Sequence, residues 1–234
     1  MVSEPSSIAR PTVLVTGFEP FGDSTLNPSR VVVEALASMD EPAGRGEGFA
    51  MHTAELPVDT ERIASVLARL WREVEPDVAL HFGESARAER VTLERVAINL
   101  LDFEVADNAG RRVVDEPIDP DGPAARFATL PVRTIKSQLD AQYGIASDLS
   151  LSAGAYLCNQ TLYLSLGHAE RRGGRAGFVH LPSLPEQVRR GERDEPSLPS
   201  DRLIEAAIAL VKLAAGHGSD KNTRPGVEGS PELR

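Results

Sequence analysis

Three side chains far apart in the sequence have the types needed for acyl transfer: the single cysteine, Cys158, one histidine, His180, and one glutamate, Glu94. A thiolate attacks a carbonyl carbon, an imidazole takes and returns the protons that move, and a carboxylate holds the imidazole in its working orientation. Cys158 follows Gly154-Ala155-Tyr156-Leu157 and opens a helical pattern, where free backbone N–H groups and the positive end of a helix dipole favour a thiolate. An inert buried thiol beside Leu157 fits the same residues, because free cysteine is among the most buried residue types. His180 closes the run Gly177-Phe178-Val179 at the carboxyl end of a strand pattern, where open α/β sheets bind ligands. A structural histidine held by the turn at Pro182 is the alternative. Glu94 lies in a β-branched run, on the face of Val96 and Ile98 by period-two counting, and a carboxylate between apolar neighbours needs a partner. His180 can be that partner, and so can Arg87 or Arg90 in a structural ion pair.

Composition removes several other classes. Neither the glycine fingerprint of dinucleotide sites nor the Gly-Lys-Ser/Thr of nucleoside triphosphatases occurs. One thiol with five histidines falls short of a structural zinc set, so neither metal nor cofactor is expected. Thirty-five acidic against 25 basic residues give a net charge of −10, a field that repels nucleic acid and anionic lipid. No apolar run approaches the length of a membrane span. A lone cysteine and an N-terminal stretch containing Glu4, without a signal-like apolar core, lead to the expectation of a reducing, cytoplasmic setting.

The scaffold has to bring positions 94, 158 and 180 together. Residues 12–16 are a β-branched run stopping at Gly17, suited to a strand buried on both faces. Ser29 can cap a helix carrying Val32, Val33, Leu36 and Ala37. Residues 49–56, 77–82, 91–99, 146–152 and 177–181 read as further strands. Ile63, Val66, Leu67, Leu70 and Trp71 keep a helical interval that Pro76 ends, and helices are also expected over 130–139 and 158–169. A last helix starts from Ser200 as its cap and carries Leu203, Ala207, Leu210, Val211 and Ala214 in one stripe. Strands alternating with helices imply an α/β fold. At 234 residues one domain is expected, over 12–215, with 1–11 and 216–234 as flexible ends. Residues 106–124 and 191–199 are too polar and proline-broken for regular structure, and long irregular loops of the first kind serve as lids or binding loops.

Four segments together carry a family signature: Thr16-Gly-Phe-Glu-Pro-Phe-Gly22 with Asn27-Pro28, Glu94-Arg-Val-Ala-Ile-Asn99, Cys158-Asn159, and Gly177-Phe-Val-His-Leu-Pro182 with Pro185-Glu186-Gln187. In order and separation they resemble pyroglutamyl-peptidase I, the pyrrolidone-carboxylate peptidase family of cysteine peptidases, over about residues 13–215. The resemblance implies a cofactor-free, single-domain α/β/α sandwich with a mostly parallel twisted central sheet, usually assembled as a homotetramer. It makes Cys158 the nucleophile, His180 its base and acid, and Glu94 the residue that orients the imidazole. It also implies that Phe18 and Phe21 wall a slot for the flat pyrrolidone ring, with Asn27 helping to form the pocket. The substrates would be peptides blocked by amino-terminal pyroglutamate. Such a lactam has no α-ammonium, so a narrow, apolar, uncharged slot suits it. Apart from the resemblance, Phe18 and Phe21 read as core.

Two positions depart from the family pattern. Glu84 stands where the family usually has glutamine, placing a charge near the lactam, and Glu104 stands where it typically has arginine. A carboxylate at Glu84 can pair with a substrate ammonium, which would make the chain a related thiol amidohydrolase with a changed amino-terminal acyl specificity. A third reading is a non-catalytic module that binds a small molecule or peptide end, although such a module has no need of all three reactive side chains.

Overall fold

Alternation along the strands sorts the apolar side chains into two layers, one on each face of a central sheet. The structure is a computed structural model that describes residues 10–39, 48–188 and 196–217. Its elements are β1 (Thr12–Phe18), α1 (Pro28–Ala37), β2 (Ala50–Leu56), α2 (Thr60–Val74), β3 (Val78–Glu84), β4 (Val91–Glu94) and β5 (Val96–Ile98). They continue with β6 (Ala125–Phe127), α3 (Val132–Tyr143), β7 (Ser147–Ser150), α4 (Leu157–Arg172), β8 (Arg175–Leu181) and α5 (Ser200–Gly216). The main sheet has six strands in the order β2-β1-β3-β8-β4-β7, and every neighbouring pair is parallel except β8 with β4. β5 and β6 form a separate antiparallel pair.

Val13 and Val15, Val78, Leu80 and Phe82, Val91 and Leu93, and Val179 and Leu181 face one layer, buried with α1, α3 and α5. Leu14, Phe18, Ala79, Ala176 and Phe178 face the other, buried with α2 and α4. The same alternation puts Glu94 of β4 and His180 of β8 on the α4 side of the sheet. This is the expected α/β/α arrangement, and it leaves the start of α4 free to bring a third side chain to both.

Several elements differ from expectation for local reasons. The run 91–99 is two strands, because Arg95 N–H donates to Ser150 O and Arg95 O accepts from Ala128 N–H, which turns the chain from the main sheet toward β6. Glu94 therefore shares its face with Thr92, not with Val96 and Ile98; past the break Ala97 is the buried residue. Asn27, not Ser29, caps α1: its Oδ1 accepts from Ser29 N–H at 3.0 Å and Ser29 Oγ–H at 2.7 Å. Likewise Ser200 is the first residue of α5, after Pro199, and offers no capping bond. α3 starts at Val132, after Pro131, and runs on to Tyr143, where Gly144 ends it in a left-handed conformation (φ 64°).

Residues 106–124 are irregular, as their composition implies, but firmly tied. Asp107 Oδ2 accepts from Thr60 N–H at the start of α2, and Asn108 Nδ2 donates to Glu19 Oε1 and Pro20 O, each within 2.9–3.0 Å. Expectations for 1–9, for most of 191–199 and for the tail from 218 lie outside the described residues.

His81 crosses the second layer as a buried polar bridge. One ring nitrogen lies 2.7 Å from Thr16 Oγ1 of β1 and the other 2.7 Å from Ser165 Oγ of α4, which also accepts from Trp71 Nε1. Burial lowers its pKa to about 3. Between that value and the ordinary 6.5 the unfolded chain binds a proton that the folded chain refuses, so stability is whole above about pH 6.5 and falls as pH drops toward 3. Urea unfolding should show wild type losing about 2 kcal/mol more than His81→Gln between pH 7 and pH 5. Equal losses in both proteins would contradict a neutral buried His81.

Candidate active site

The start of α4 is built to leave backbone donors open. Tyr156 precedes the helix in an extended conformation (φ −107°, ψ −160°) and supplies no side-chain cap. The N–H groups of Leu157, Cys158 and Asn159 have no carbonyl one turn earlier within the helix, so they point outward beside the thiol. Asn159 locks this turn in place: its Oδ1 accepts from Ile98 N–H at 2.9 Å, and its Nδ2 donates to Ile98 O at 2.9 Å and Leu100 O at 3.0 Å. The helix is thus anchored to β5, the segment that follows directly from Glu94 and Arg95.

Cys158 is half-buried, with its sulfur against the end of β3. A Cβ placed at Gly83 would lie 2.9 Å from Cys158 Sγ and 2.7 Å from Phe178 Cζ, so only glycine lets the thiol approach the sheet this closely. His180 Nδ1 lies 2.8 Å from Glu94 Oε1, and both residues are buried. Thr92 and His180 are register partners across the antiparallel β4–β8 pair, which brings the carboxylate two residues further along β4 up beside the imidazole. Phe178 packs against the His180 ring with centroids 4.9 Å apart. Burial opposes a charge on His180, but interaction with the Cys158 sulfur and the bond to Glu94 outweigh it and raise the pKa to about 10. Cys158, His180 and Glu94 all line one cleft of about 410 Å³, together with Glu84, Arg87 and Tyr156.

The remaining expected positions lie at different depths. Phe21 is partly buried, 6.4 Å between centroids from Tyr156, which in turn meets Phe103 edge-on at 4.5 Å. Phe18 is deeper, 3% exposed and against Phe178, and neither Phe18 nor Phe21 is among the residues lining the cleft, which Phe21 reaches only through Tyr156. Asn27 is also behind the surface; its Nδ2 donates to Glu19 O, so its polar atoms are spent on the turn that carries Phe21. Glu84 does line the cleft, and its carboxylate accepts from Ser183 Oγ at 2.8 Å and from Gln187 Nε2 at 3.1 and 3.2 Å. Glu104 is exposed, away from that lining. Among the described residues no cluster of His, Cys, Asp and Glu is arranged to hold a metal ion.

A family model described as pyroglutamyl peptidase matches residues 11–216. The chain belongs to the pyroglutamyl peptidase family. A pyrrolidone-carboxylate peptidase of Pyrococcus furiosus is 37% identical over 204 residues, covering 86% of this chain and 95% of that protein. One from Chromobacterium violaceum is 40% identical over 218 residues, covering 92% and 98%. Among solved structures, pyroglutamyl peptidase I of Bacillus amyloliquefaciens superposes with a TM-score of 0.79 at 31% identity, covering 89% of this chain and 98% of that one. Pyrrolidone carboxyl peptidase of Thermococcus litoralis gives 0.81 at 33% identity, covering 88% and 94%.

Sequence reasoning gave no role to Tyr156, Gly83 or Asn159, although Asn159 stands in one of the four segments of the resemblance. Gly83 carried a local signal, a glycine closing a buried strand, which marks a close approach. Tyr156 keeps its proton, because burial, then Asp107 and Cys158, push its pKa up to about 12.

Interaction with Cys158, and after it the bond to Glu94, sets how His180 titrates. In Glu94→Gln the imidazole pKa should fall below 10 while Cys158 keeps part of the rise, read from ring ¹⁵N shifts across a pH series. Because the folded value exceeds the ordinary 6.5, the interactions with Cys158 and Glu94 together stabilise the wild type fully below about pH 6.5 and are lost as pH rises through 10. An unchanged His180 titration in the variant would show that the carboxylate contributes nothing to the raised imidazole pKa.

Proposed function

We propose that this chain is a cysteine exopeptidase that hydrolyses the amide bond following an amino-terminal pyroglutamate, with Cys158 as nucleophile, His180 as base and acid, and Glu94 holding the imidazole. The observation that carries the reading is the 2.8 Å contact between His180 Nδ1 and Glu94 Oε1, in a cleft that the Cys158 sulfur also lines. The names of the relatives, pyrrolidone-carboxylate peptidase and pyroglutamyl peptidase I, support the substrate class.

The steps follow from the positions. Cys158 Sγ attacks the carbonyl carbon that joins the pyroglutamyl ring to the next residue. The carbonyl oxygen takes up negative charge, and the outward N–H groups of the first turn of α4 are placed to hold it. His180 gives its proton to the departing nitrogen as the C–N bond breaks, leaving a pyroglutamyl thioester on sulfur. Water then adds to the thioester while His180 takes its proton, and the thiolate leaves with free pyroglutamate as the second product. Glu94 fixes the ring throughout by accepting from Nδ1, so the other nitrogen always faces the chemistry.

Selection of the lactam falls to Phe21 and Tyr156 as apolar ring walls, with Phe18 and Asn27 fixing the turn behind them and Glu84 at the polar edge. Ser183 and Gln187 hold the Glu84 carboxylate in one orientation. A homotetramer is part of this reading, and the exposed apolar residues Val105, Val114 and Phe127 are surface that assembly would cover. A reducing, cytoplasmic compartment would keep the thiol active.

A panel of fluorogenic amides tests the assignment. Pyroglutamyl amide should be turned over, and alanyl, prolyl and glutamyl amides should not. Cys158→Ser should be inactive, and His180→Ala should lose about 10²- to 10⁴-fold in kcat with the fold intact by circular dichroism. Near-normal turnover by His180→Ala, or cleavage of alanyl amide in preference, would contradict it.

A further inference from the structure

If the chain acts as proposed, the sheet order also orders the cleft. The departing nitrogen must meet His180 on β8, and the Phe21 segment follows β1, on the β3 side of β8. The departing peptide therefore leaves toward β4 and β7, on the other side. Residues 85–90 cross over the end of β8 in that direction: Ser85 N–H donates to Leu181 O at 2.9 Å, and Arg90 reaches Asp148 of β7 at 3.8 Å. Between those anchors stands Arg87, exposed and lining the cleft with Thr92, Ser150 and Ser152. Among the described residues Arg87 pairs with no carboxylate. The two carboxylates on the same lining are engaged elsewhere, Glu94 by His180 and Glu84 by Ser183 and Gln187.

A guanidinium on a cleft wall is a positive charge facing the cleft in a chain with net charge −10. We propose that Arg87 marks a leaving-side subsite for a carboxylate of the departing peptide. That carboxylate comes from an acidic side chain directly after the scissile bond, or from the chain end of a pyroglutamyl dipeptide. Both present the same charge to the same fork of donors. Among the described residues Arg87 has no hydrogen bond or ion pair with Cys158, His180 or Glu94, so its effect belongs to substrate choice and not to bond breaking.

The test compares kcat/KM for pyroglutamyl-alanine amide, pyroglutamyl-glutamate amide and pyroglutamyl-alanine with a free carboxylate, in wild type, Arg87→Gln and Arg87→Glu. Neutral substrate should be cleaved at a similar rate by all three proteins. The preference for the carboxylate-bearing substrates should fall about two- to five-fold in Arg87→Gln, the range of an exposed ion pair, and further in Arg87→Glu. The difference should shrink in 1 M salt, where screening acts within about 3 Å. Whichever of the two charged substrates loses more identifies the source of the carboxylate. Unchanged preferences in active variants, or an equal loss on all three substrates, would overturn the subsite. A wild type inert toward every pyroglutamyl amide would overturn the reaction itself, and the subsite with it.

Discussion

A buried imidazole and a buried carboxylate are tolerable only together, and the 2.8 Å contact between His180 and Glu94 is the constraint on which the rest of this site depends. Stripping one partner from such a pair leaves the other stranded in a poor solvent, at a cost of about 3–5 kcal/mol. The fold meets that constraint by running β4 antiparallel to β8 in an otherwise parallel neighbourhood, so that Glu94 and His180 arrive on the same face from opposite directions. α4 packs on that face and delivers Cys158 from its first turn. Sulfur, ring and carboxylate thus come from three elements whose relative positions are set by core packing and not by loops.

The shell around the three residues reads as support for that geometry. Asn159 fastens the first turn of α4 to β5, and Gly83 removes the one side chain that would push the sulfur away. Gln187 ties the Phe21 turn to the sheet edge, donating to Leu26 O and Ser24 Oγ as well as to Glu84. Glu19 does the same on the other side, accepting from Val58 N–H and Asn108 Nδ2 and so joining that turn to the long 106–124 segment. Polar bonds of this kind, individually modest, matter here because misplacing a reacting atom by an ångström is costly.

Much of this was legible in the sequence, for identifiable reasons. β-branched runs closed by Gly17 or Pro182 read correctly as buried strands, and the amphipathic interval from Ile63 to Trp71 read correctly as a helix, because burial on both sheet faces and on one helix face leaves different periods. The place of His180 at the carboxyl edge of a strand was legible from the run before it, while its role came only from the resemblance. The break at Arg95 was invisible, since a change of strand partner leaves no mark on local composition. Glu94 was for that reason assigned a buried environment correctly but the wrong neighbours. Asn27 and Ser29 are both good capping residues two positions apart, and only the path of the turn decides between them. Asn159 and Gln187 stand in the segments that carry the resemblance, but their bonds, like the role of Tyr156, arise from contacts across the fold that no local periodicity announces.

The most direct measurement is a crystal structure of the protein with a pyroglutamyl aldehyde bound. The expected result is a covalent bond from Cys158 Sγ to the aldehyde carbon, the new oxygen facing the first-turn N–H groups of α4, the ring between Phe21 and Tyr156, and His180 still bonded to Glu94. An aldehyde seated with its carbon out of reach of the sulfur, or a His180 ring turned away from Glu94 when the site is filled, would contradict it.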